Sequence, residues 1–596
     1  MDLRQTSVGD EPPIVRLDSY DGQRAPASYR FADYQGSLVA HQPEQVGPLL
    51  QQIERAAAAG GHAVGFLAYE AAAGLDANLT VRPPGPQPLA WFGLFGRRHR
   101  VAPGAVEVGG DYTAGPWKPS LDPDQYNEAL ARIHRHIGAG DTYQVNFTLA
   151  LDSPFQGQVP GLYGDMCRSQ KASYCALIQC RDWALVSASP ELFFALDGDR
   201  ISCRPMKGTR PRARWLGEDQ ILARQLYDST KDRAENAMIV DLLRNDLGRV
   251  SQVGTVQVPA MWEVERYETV WQLTSTIKAR LRAGVSLVEI FGALFPCGSV
   301  TGAPKVRTMQ LIAQLEGRRR GVYTGCVGYL SPGRQACFNV AIRTVWVDRR
   351  AGRAQFGLGS GITWDSQPGD EYAECLVKAR VLKAARPRFE LLETLLWKAG
   401  NFYLLERHLQ RLGDSAQYFG FVWEPDKVGQ ELALLGASLK EEPHRVRLLL
   451  GQDGGLRLES SPLGFAQKVF RVALSRLPVD RADPFLYHKT THRQVYSQRL
   501  AQYPDCDDVI LVNDQGQLTE CCIGNLVMEL DGGLWTPPRA CGLLGGTLRA
   551  EMLDRGIIAE RCLEAGDLTK AGRLYLINSV RGWVALELAT AITKEG

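Results

Sequence analysis

A chain of 596 residues is too long for one compact core and implies two to four folding units. Its net charge of +2, with 45% hydrophobic and 22% charged residues, is ordinary for globular protein, and without a basic block nothing points to nucleic acid or an anionic membrane as partner. The opening MDLRQTSVGDEPP has no apolar core for a secretory signal and no run of about 18 apolar residues occurs, so a cytoplasmic protein with no membrane span is expected.

Residues 1–120 alternate short apolar runs with turn signals, as strands with connecting helices would. From Asp122 to Ile137 the apolar spacing is helical, with Asp122-Pro123 as its start and Gly138 and Gly140 as its end. YQVNFTLAL then reads as a strand. Strand and helix signals continue to about residue 383 without a repeat of fixed period. The helical pattern EYAECLVKARVLKAA stops near Arg386-Pro387-Arg388, because proline cannot continue it, and FELLETLLW resumes as a strand. Two domains follow, 1–385 and 386–596. The 13 cysteines lack a CxxC pair and read as reduced, mostly buried thiols. His134 and His136, two apart on a helix, point to different sides and are not expected to share a metal.

Glu371 and Glu374 stand at i, i+3 on a helix, so both carboxylates share a face, with Lys378 one turn on. Asp232 and Glu235 repeat the spacing in KDRAENAMIVDLLRNDLG. Two such pairs supply hard oxygen ligands for Mg²⁺ while leaving positions for water and an anionic substrate, although isolated pairs of this kind are usually solvated helix faces.

Their neighbours decide the reading. GDTYQVN (Gly140–Asn146), SPELFF (Ser189–Phe194), RPMKGTRPR (Arg204–Arg212), GSVTGAPK (Gly298–Lys305), FNVAIRT (Phe338–Thr344), GLGSGITWDS (Gly357–Ser366) and EYAECLVKA occur in that order. Together they resemble the chorismate-utilising enzymes, which include anthranilate, isochorismate, salicylate and aminodeoxychorismate synthases. Lys207 stands where anthranilate synthases carry alanine. In aminodeoxychorismate synthases, the resemblance implies, this lysine attacks C2 of chorismate as the 4-hydroxyl leaves, and ammonia then adds at C4 and expels it. A neutral amine is required, so its pKa must fall by about 3 from about 10.4, at a cost of roughly 4 kcal/mol. Arg204, Arg210 and a metal are candidates for part of this shift and burial for the rest. Gln144 replaces the lysine with which isochorismate- and salicylate-forming relatives activate water. Glu191 matches the carboxyl placed beside the C4 oxygen, where a raised pKa would let it donate a proton. For a dicarboxylate substrate, Arg343 offers a bidentate grip and Lys378 a second cation. Gly359, Ser360 and Gly361, with Thr301 and Gly302, are candidates to present backbone N–H groups. No glutaminase signature is found, so the resemblance implies ammonia from solution or from a separate glutamine amidotransferase subunit.

Residues 389–596 carry FELLETLLW, LLERHLQRLGDSAQYFGF, HKTTHRQVY, LTECCIGNLV, GLLGGTLRAE and NSVRGW in sequence. These resemble the fold-type IV pyridoxal-phosphate (PLP) enzymes, most of all the aminodeoxychorismate lyases. The resemblance implies that Lys489 attaches the cofactor and moves the proton, Glu520 bonds the pyridine nitrogen, and Arg411 pairs with the phosphate. Gly546, Thr547 and Leu548 open a helix whose N–H groups can cradle that phosphate. Ser579 is a further phosphate contact and Thr394 a candidate beside the substrate. Relatives usually have proline where this chain has Gly545, which removes a fixed φ from the loop. The expected fold is α+β in two fused units, a chorismate-utilising fold of β-sheets layered with helices and then a fold-type IV α/β domain, with homodimerisation through the latter. Together they would form 4-aminobenzoate from chorismate, and the competing readings are a transaminase or a non-catalytic scaffold in the second domain, or anthranilate formation in the first.

Overall fold

The computed structural model describes residues 4–6, 11–21, 27–102, 108–382, 387–464 and 469–589. The chain divides into two compact units, one of Met1–Pro211 and Ala223–Arg386, the other of Arg212–Leu222 and Pro387–Gly596. The short segment Arg212–Leu222 thus lies within residues 1–385 in sequence and groups with the second unit in space.

The first unit is built on antiparallel strands joined in one long ladder. In one arm Ser28–Ala40 pairs with Ala90–Val101, which pairs with His62–Leu67, then Cys326–Ser331, Gln335–Val340 and Leu192–Asp197. In the other, Ile14–Asp18 leads through Tyr174–Gln179, Trp183–Ser189, Thr344–Asp348 and Arg353–Ile362 to Gln144–Gly157. The arms face each other across an apolar layer in which Trp183 and Trp346 stack at 4.9 Å and meet the edge of Phe66. Helices cover the outer faces and bury the larger core. The helix foreseen from Asp122 runs Pro123–Gly138, with the Asp122 carboxylate accepting from the Gln125 N–H at 2.8 Å. The strand after it runs Gln144–Gly157, longer than its apolar run. The expected helix end at Arg386 lies outside the described residues, and the regular helix there is Pro368–Lys378. His134 bonds the Thr363 carbonyl and His136 the Asp141 carboxylate. All cysteines are free thiols, and only Cys562 is exposed.

The second unit has a four-stranded sheet, with Leu391–Lys398 between Asn401–Phe402 and His444–Leu450, packed on the helix Leu405–Phe419. Its mixed eight-stranded sheet closes on itself where Glu520 pairs with Asn525. The seam brings the two side chains together, the Asn525 amide donating to the Glu520 carboxyl at 3.3 Å.

One buried arginine fixes the segments that frame the first unit's cavity. Arg320 donates from Nη2 to the Asn146 carbonyl at 2.6 Å and from Nη1 to the Val300 carbonyl at 2.9 Å, while Nε and Nη2 grip Glu316. Glu316 also accepts from the Thr148 N–H, and Glu70 from the N–H groups of Arg320 and Gly321. Both side chains of the Arg320–Glu316 pair are within 2% of full burial, so removing one strands the other's charge without water. Arg320→Met is expected to cost about 3–5 kcal/mol and to lower the calorimetric unfolding midpoint of the first unit; an unchanged midpoint would show that the network does not stabilise it.

Candidate active sites

The first unit encloses a cavity of about 280 Å³. Lys207, Glu191, Arg343, Lys378, Gly359 and Gly361 line it, as do all four candidate metal carboxylates, Asp232, Glu235, Glu371 and Glu374. Lys207 sits on the edge strand Met206–Pro211 and, among the described residues, makes no ion pair within 4 Å. Burial lowers its pKa; Glu235 opposes this, while the positive charge of Lys378 adds to it. Neither arginine named from the sequence contributes. Arg204 is taken by Glu263 and Glu265, and Arg210 by Asp232 at 2.8 Å. The second cation acting on Lys207 is therefore Lys378, itself tied to Glu374 at 2.7 Å and to the Gly359 carbonyl at 2.9 Å.

Gln144 is wholly buried, and both polar atoms of its amide lack a partner. A Cβ on Gly361 would lie 2.2 Å from the Gln144 Nε2 and 2.8 Å from the Lys207 Nζ, so glycine is what lets this amide and this amine share the space. Glu191 is 3% exposed, and its Oε1 accepts from the Ser299 hydroxyl at 2.6 Å. Burial pushes its pKa up to about 7 although Ser299 and Lys207 pull the other way. With Oε1 engaged as acceptor, a proton belongs on Oε2. Arg343 donates to the Gln170 side chain at 2.8 Å, and burial brings its pKa down to about 10.

Three sequence-derived candidates stand elsewhere. Ser360 lies between Gly359 and Gly361 on the strand Arg353–Ile362, so alternation turns it to the opposite face, where its hydroxyl meets Tyr126 at 2.9 Å. The Thr301 N–H donates to the Gly298 carbonyl and its hydroxyl to Cys297 and Gly298, which leaves it nothing to offer a ligand. Gly302 pairs with Val145 in a two-residue strand and does not line the cavity. Ser299 and Val300, just before Thr301, are the members of that loop that line the cavity.

The four carboxylates suit Mg²⁺ in donor type, but they are not gathered on one point. Asp232 is held by Arg210, Glu374 by Lys378, and Glu371 accepts from the Ser366 hydroxyl. No group of three His, Cys, Asp or Glu arranged to hold a metal occurs among the described residues.

In the second unit Lys489 lies beside the strand Leu391–Lys398, where its carbonyl accepts from the Leu392 N–H. Burial, aided by Arg411, lowers its pKa to about 8. Arg411 makes a two-pronged bond to Glu393, from Nε at 2.8 Å and Nη2 at 2.6 Å, and donates from Nη1 to the Gly545 carbonyl. Burial alone would raise the pKa of Glu393, yet Arg411 and His408 hold it at about 2. His408, kept neutral by burial, gives its Nδ1 hydrogen to Glu393 at 2.7 Å. Its Nε2 therefore accepts from Ser579 at 3.0 Å and Thr547 at 3.2 Å. Thr547 begins the helix Thr547–Asp554, with Gly546 as its N-cap, and the Leu548 side chain turns into a small apolar cluster. Glu520 accepts from Tyr496 at 2.8 Å and from Asn525 at 3.3 Å, and burial lifts its pKa to about 7. Thr394 follows Glu393 on the same strand and so faces away from Arg411.

Residues 13–384 match the family model for chorismate binding enzymes. The chain belongs to that family. Residues 390–587 match the class IV amino-transferases, so a class IV domain is fused to the chorismate-binding one. The chorismate-binding domain is 37% identical over 273 residues to aminodeoxychorismate synthase component 1 of Bacillus subtilis (strain 168), a match that takes in 46% of this chain and 58% of that protein. It is 38% identical over 299 residues to anthranilate synthase component 1 1 of Haloarcula marismortui, covering 48% of this chain and 60% of the relative. Each match thus spans about three-fifths of its relative, and these two relatives carry different names at nearly equal identity. The crystal structure of anthranilate synthase component I from Streptococcus pneumoniae superposes with a TM-score of 0.50 over 64% of this chain and 95% of that one, at 23% identity, which shows the shared fold.

The class IV fold implies PLP, and the residues present fit it: a partly buried amine with a lowered pKa, a carboxyl held by two donors, and an arginine, two hydroxyls and a helix start around one place. Of the residues brought together in the two candidate sites, Ser299, His408 and Glu393 are not singled out by the sequence. Glu393 could have been found from strand parity, since it alternates with Thr394. Lys378→Met removes a like charge from Lys207 and frees Glu374 to attract it, so both changes raise the pKa of Lys207. The pH profile of its modification by an amine reagent, read by mass spectrometry, is expected to move to higher pH. In the class IV domain an unfolded lysine keeps its proton to about 10.4, whereas folded Lys489 releases it near 8. The unit should gain stability as pH rises between those values, and its capture of added PLP should show a midpoint near 8.

Proposed function

We propose that the chain aminates chorismate to 4-amino-4-deoxychorismate in the first unit and releases pyruvate from that product in the second, yielding 4-aminobenzoate. The placement of Lys207 carries this reading. It lines the cavity, without an ion pair among the described residues and next to the Gln144 amide, where a surface lysine would have been solvated.

In the first step the neutral Lys207 amine forms a bond to C2 of the ring. The ring electrons shift, the C4–O bond breaks, and Glu191 gives its Oε2 proton to the departing hydroxyl, which leaves as water. Ammonia then bonds to C4, the electrons return, the C2–N bond breaks to restore Lys207, and the proton shed by the new ammonium group returns to Glu191. Ser299 keeps Glu191 oriented for this transfer. Gln144 cannot act as a base toward water at C2, and that supports nitrogen transfer over hydration. Arg343 and the backbone at Gly359 and Gly361 would receive the substrate carboxylates. Glu235 and Glu371, with Asp232 and Glu374, would hold Mg²⁺, which would offset the charge of those carboxylates. Ammonia would come from a separate amidotransferase subunit, as the component 1 relative's name supports.

In the second step PLP, when bound, supplies the electron sink. Lys489 takes the proton from C4 of the substrate, the C3–O bond breaks so that enolpyruvate leaves and takes up a proton to become pyruvate, and the ring becomes aromatic. Glu520 would bond the pyridine nitrogen, and Arg411, Thr547 and Ser579 would hold the phosphate.

Supplying chorismate, ammonium, Mg²⁺ and PLP should give the para-substituted amino acid, and an ortho product would refute the proposal. Lys207→Ala is expected to abolish amination while leaving PLP uptake intact. Glu191→Gln should slow amination about 10²–10⁴-fold, checked by product formation under saturating ammonium.

A further inference from the structure

The second unit contains a cavity of about 540 Å³ beside the place where Arg411 and Thr547 meet, and one of its walls comes from Trp215 in the segment Arg212–Leu222. Three of its arginines are already engaged. Arg407 is paired with Glu551 and Asp554, Arg411 with Glu393, and Arg549 with Glu560. Arg539 has no carboxylate partner among the described residues. It donates from Nη2 to the Tyr487 carbonyl at 3.2 Å, and its Nε is buried with nothing to bond. Its guanidinium lies 4.9 Å from the centre of the Trp215 ring, within the range of a cation–π contact.

Arg539 packs against the loop at Gly545. A Cβ there would lie 3.7 Å from the Arg539 Nε and 3.8 Å from its Cζ, an ordinary van der Waals separation, so the guanidinium lies alongside that glycine. His488 lines the same cavity, is 4% exposed, and has an Nε2 with no partner. With Ser415 bonded to its Nδ1 at 2.9 Å, the neutral ring can present an Nε2 hydrogen when Ser415 is the donor.

We propose that Arg539 is a second phosphate-binding cation of this unit, packed beside Gly545 and held in place by Trp215, with the His488 Nε2 as an additional donor. The ligand is a phosphate monoester dianion, which two guanidiniums and a helix start recognise together. This rests on the reading of the unit as a PLP site, and the cofactor's phosphate is the ligand it would take. The counter-charges facing the site are Glu406 and Asp414; Asp414 is bonded by Gln410.

The full chain is titrated with PLP and, separately, with pyridoxal, which lacks the phosphate. Arg539→Gln should raise the Kd for PLP at least tenfold and change that for pyridoxal less than twofold. Arg539→Lys, which keeps the charge without the fork, should fall between. Trp215→Ala should weaken PLP binding in the same selective way by misplacing the guanidinium. Inorganic phosphate should tighten pyridoxal binding by the wild-type chain and not by Arg539→Gln. Equal losses for PLP and pyridoxal, or unchanged PLP binding in Arg539→Gln, would overturn the assignment. If the wild-type chain binds neither compound, the PLP reading fails first and takes this inference with it; if it binds PLP and only the selectivity is missing, the inference alone falls.

Discussion

Desolvation of amines beside carboxylates is the interaction on which both candidate sites depend. Lys207 and Lys489 each lose affinity for their proton through burial, and each lies near carboxyls that would restore it if they closed to a salt bridge. Several of the nearby carboxylates have other partners: Glu374 is occupied by Lys378, Asp232 by Arg210, and Glu393 by Arg411 and the neutral His408. At Lys207 the attraction of Glu235 remains, and burial works against it.

The same burial acts on the acids with opposite sign. Glu191 and Glu520 both rise to about 7, each with hydroxyl donors resisting the shift. Each unit therefore sets a lowered amine against a raised carboxyl, an arrangement that pushes two groups toward opposite protonation states at one pH. The frame behind this must exclude water without moving, and the Arg320–Glu316–Glu70 network supplies that rigidity in the first unit by tying carbonyls of the two segments that enclose Glu191 and Gln144.

What the sequence disclosed was the chemistry-bearing residues within motifs, because residue type and order survive without coordinates. Lys207, Glu191, Arg343 and the four acids all come to one cavity. What it did not disclose follows from parity and from long-range pairing. Ser360 and Thr394 each sit next to a residue that faces inward, and a strand turns neighbours to opposite sides. Thr301 spends its N–H inside a turn that no motif announces. Ser299 meets Glu191 across 108 residues and His408 meets Ser579 across 171, so only the topology could bring them together. The excursion of Arg212–Leu222 into the second unit is equally silent, since its helical pattern would suit either unit.

That excursion bears on how such a chain can be cut and recombined. Arg212 bonds Asp219 and the Tyr418 carbonyl, Tyr418 returns a bond to the Ala213 carbonyl, and Trp215 packs on Tyr487. A gene truncated at the junction between the two family matches would discard these contacts with the other half. The seam visible in the reading frame is therefore not the seam along which the folded modules separate, and exchange of the downstream half between fused genes would have to bring a compatible upstream loop with it.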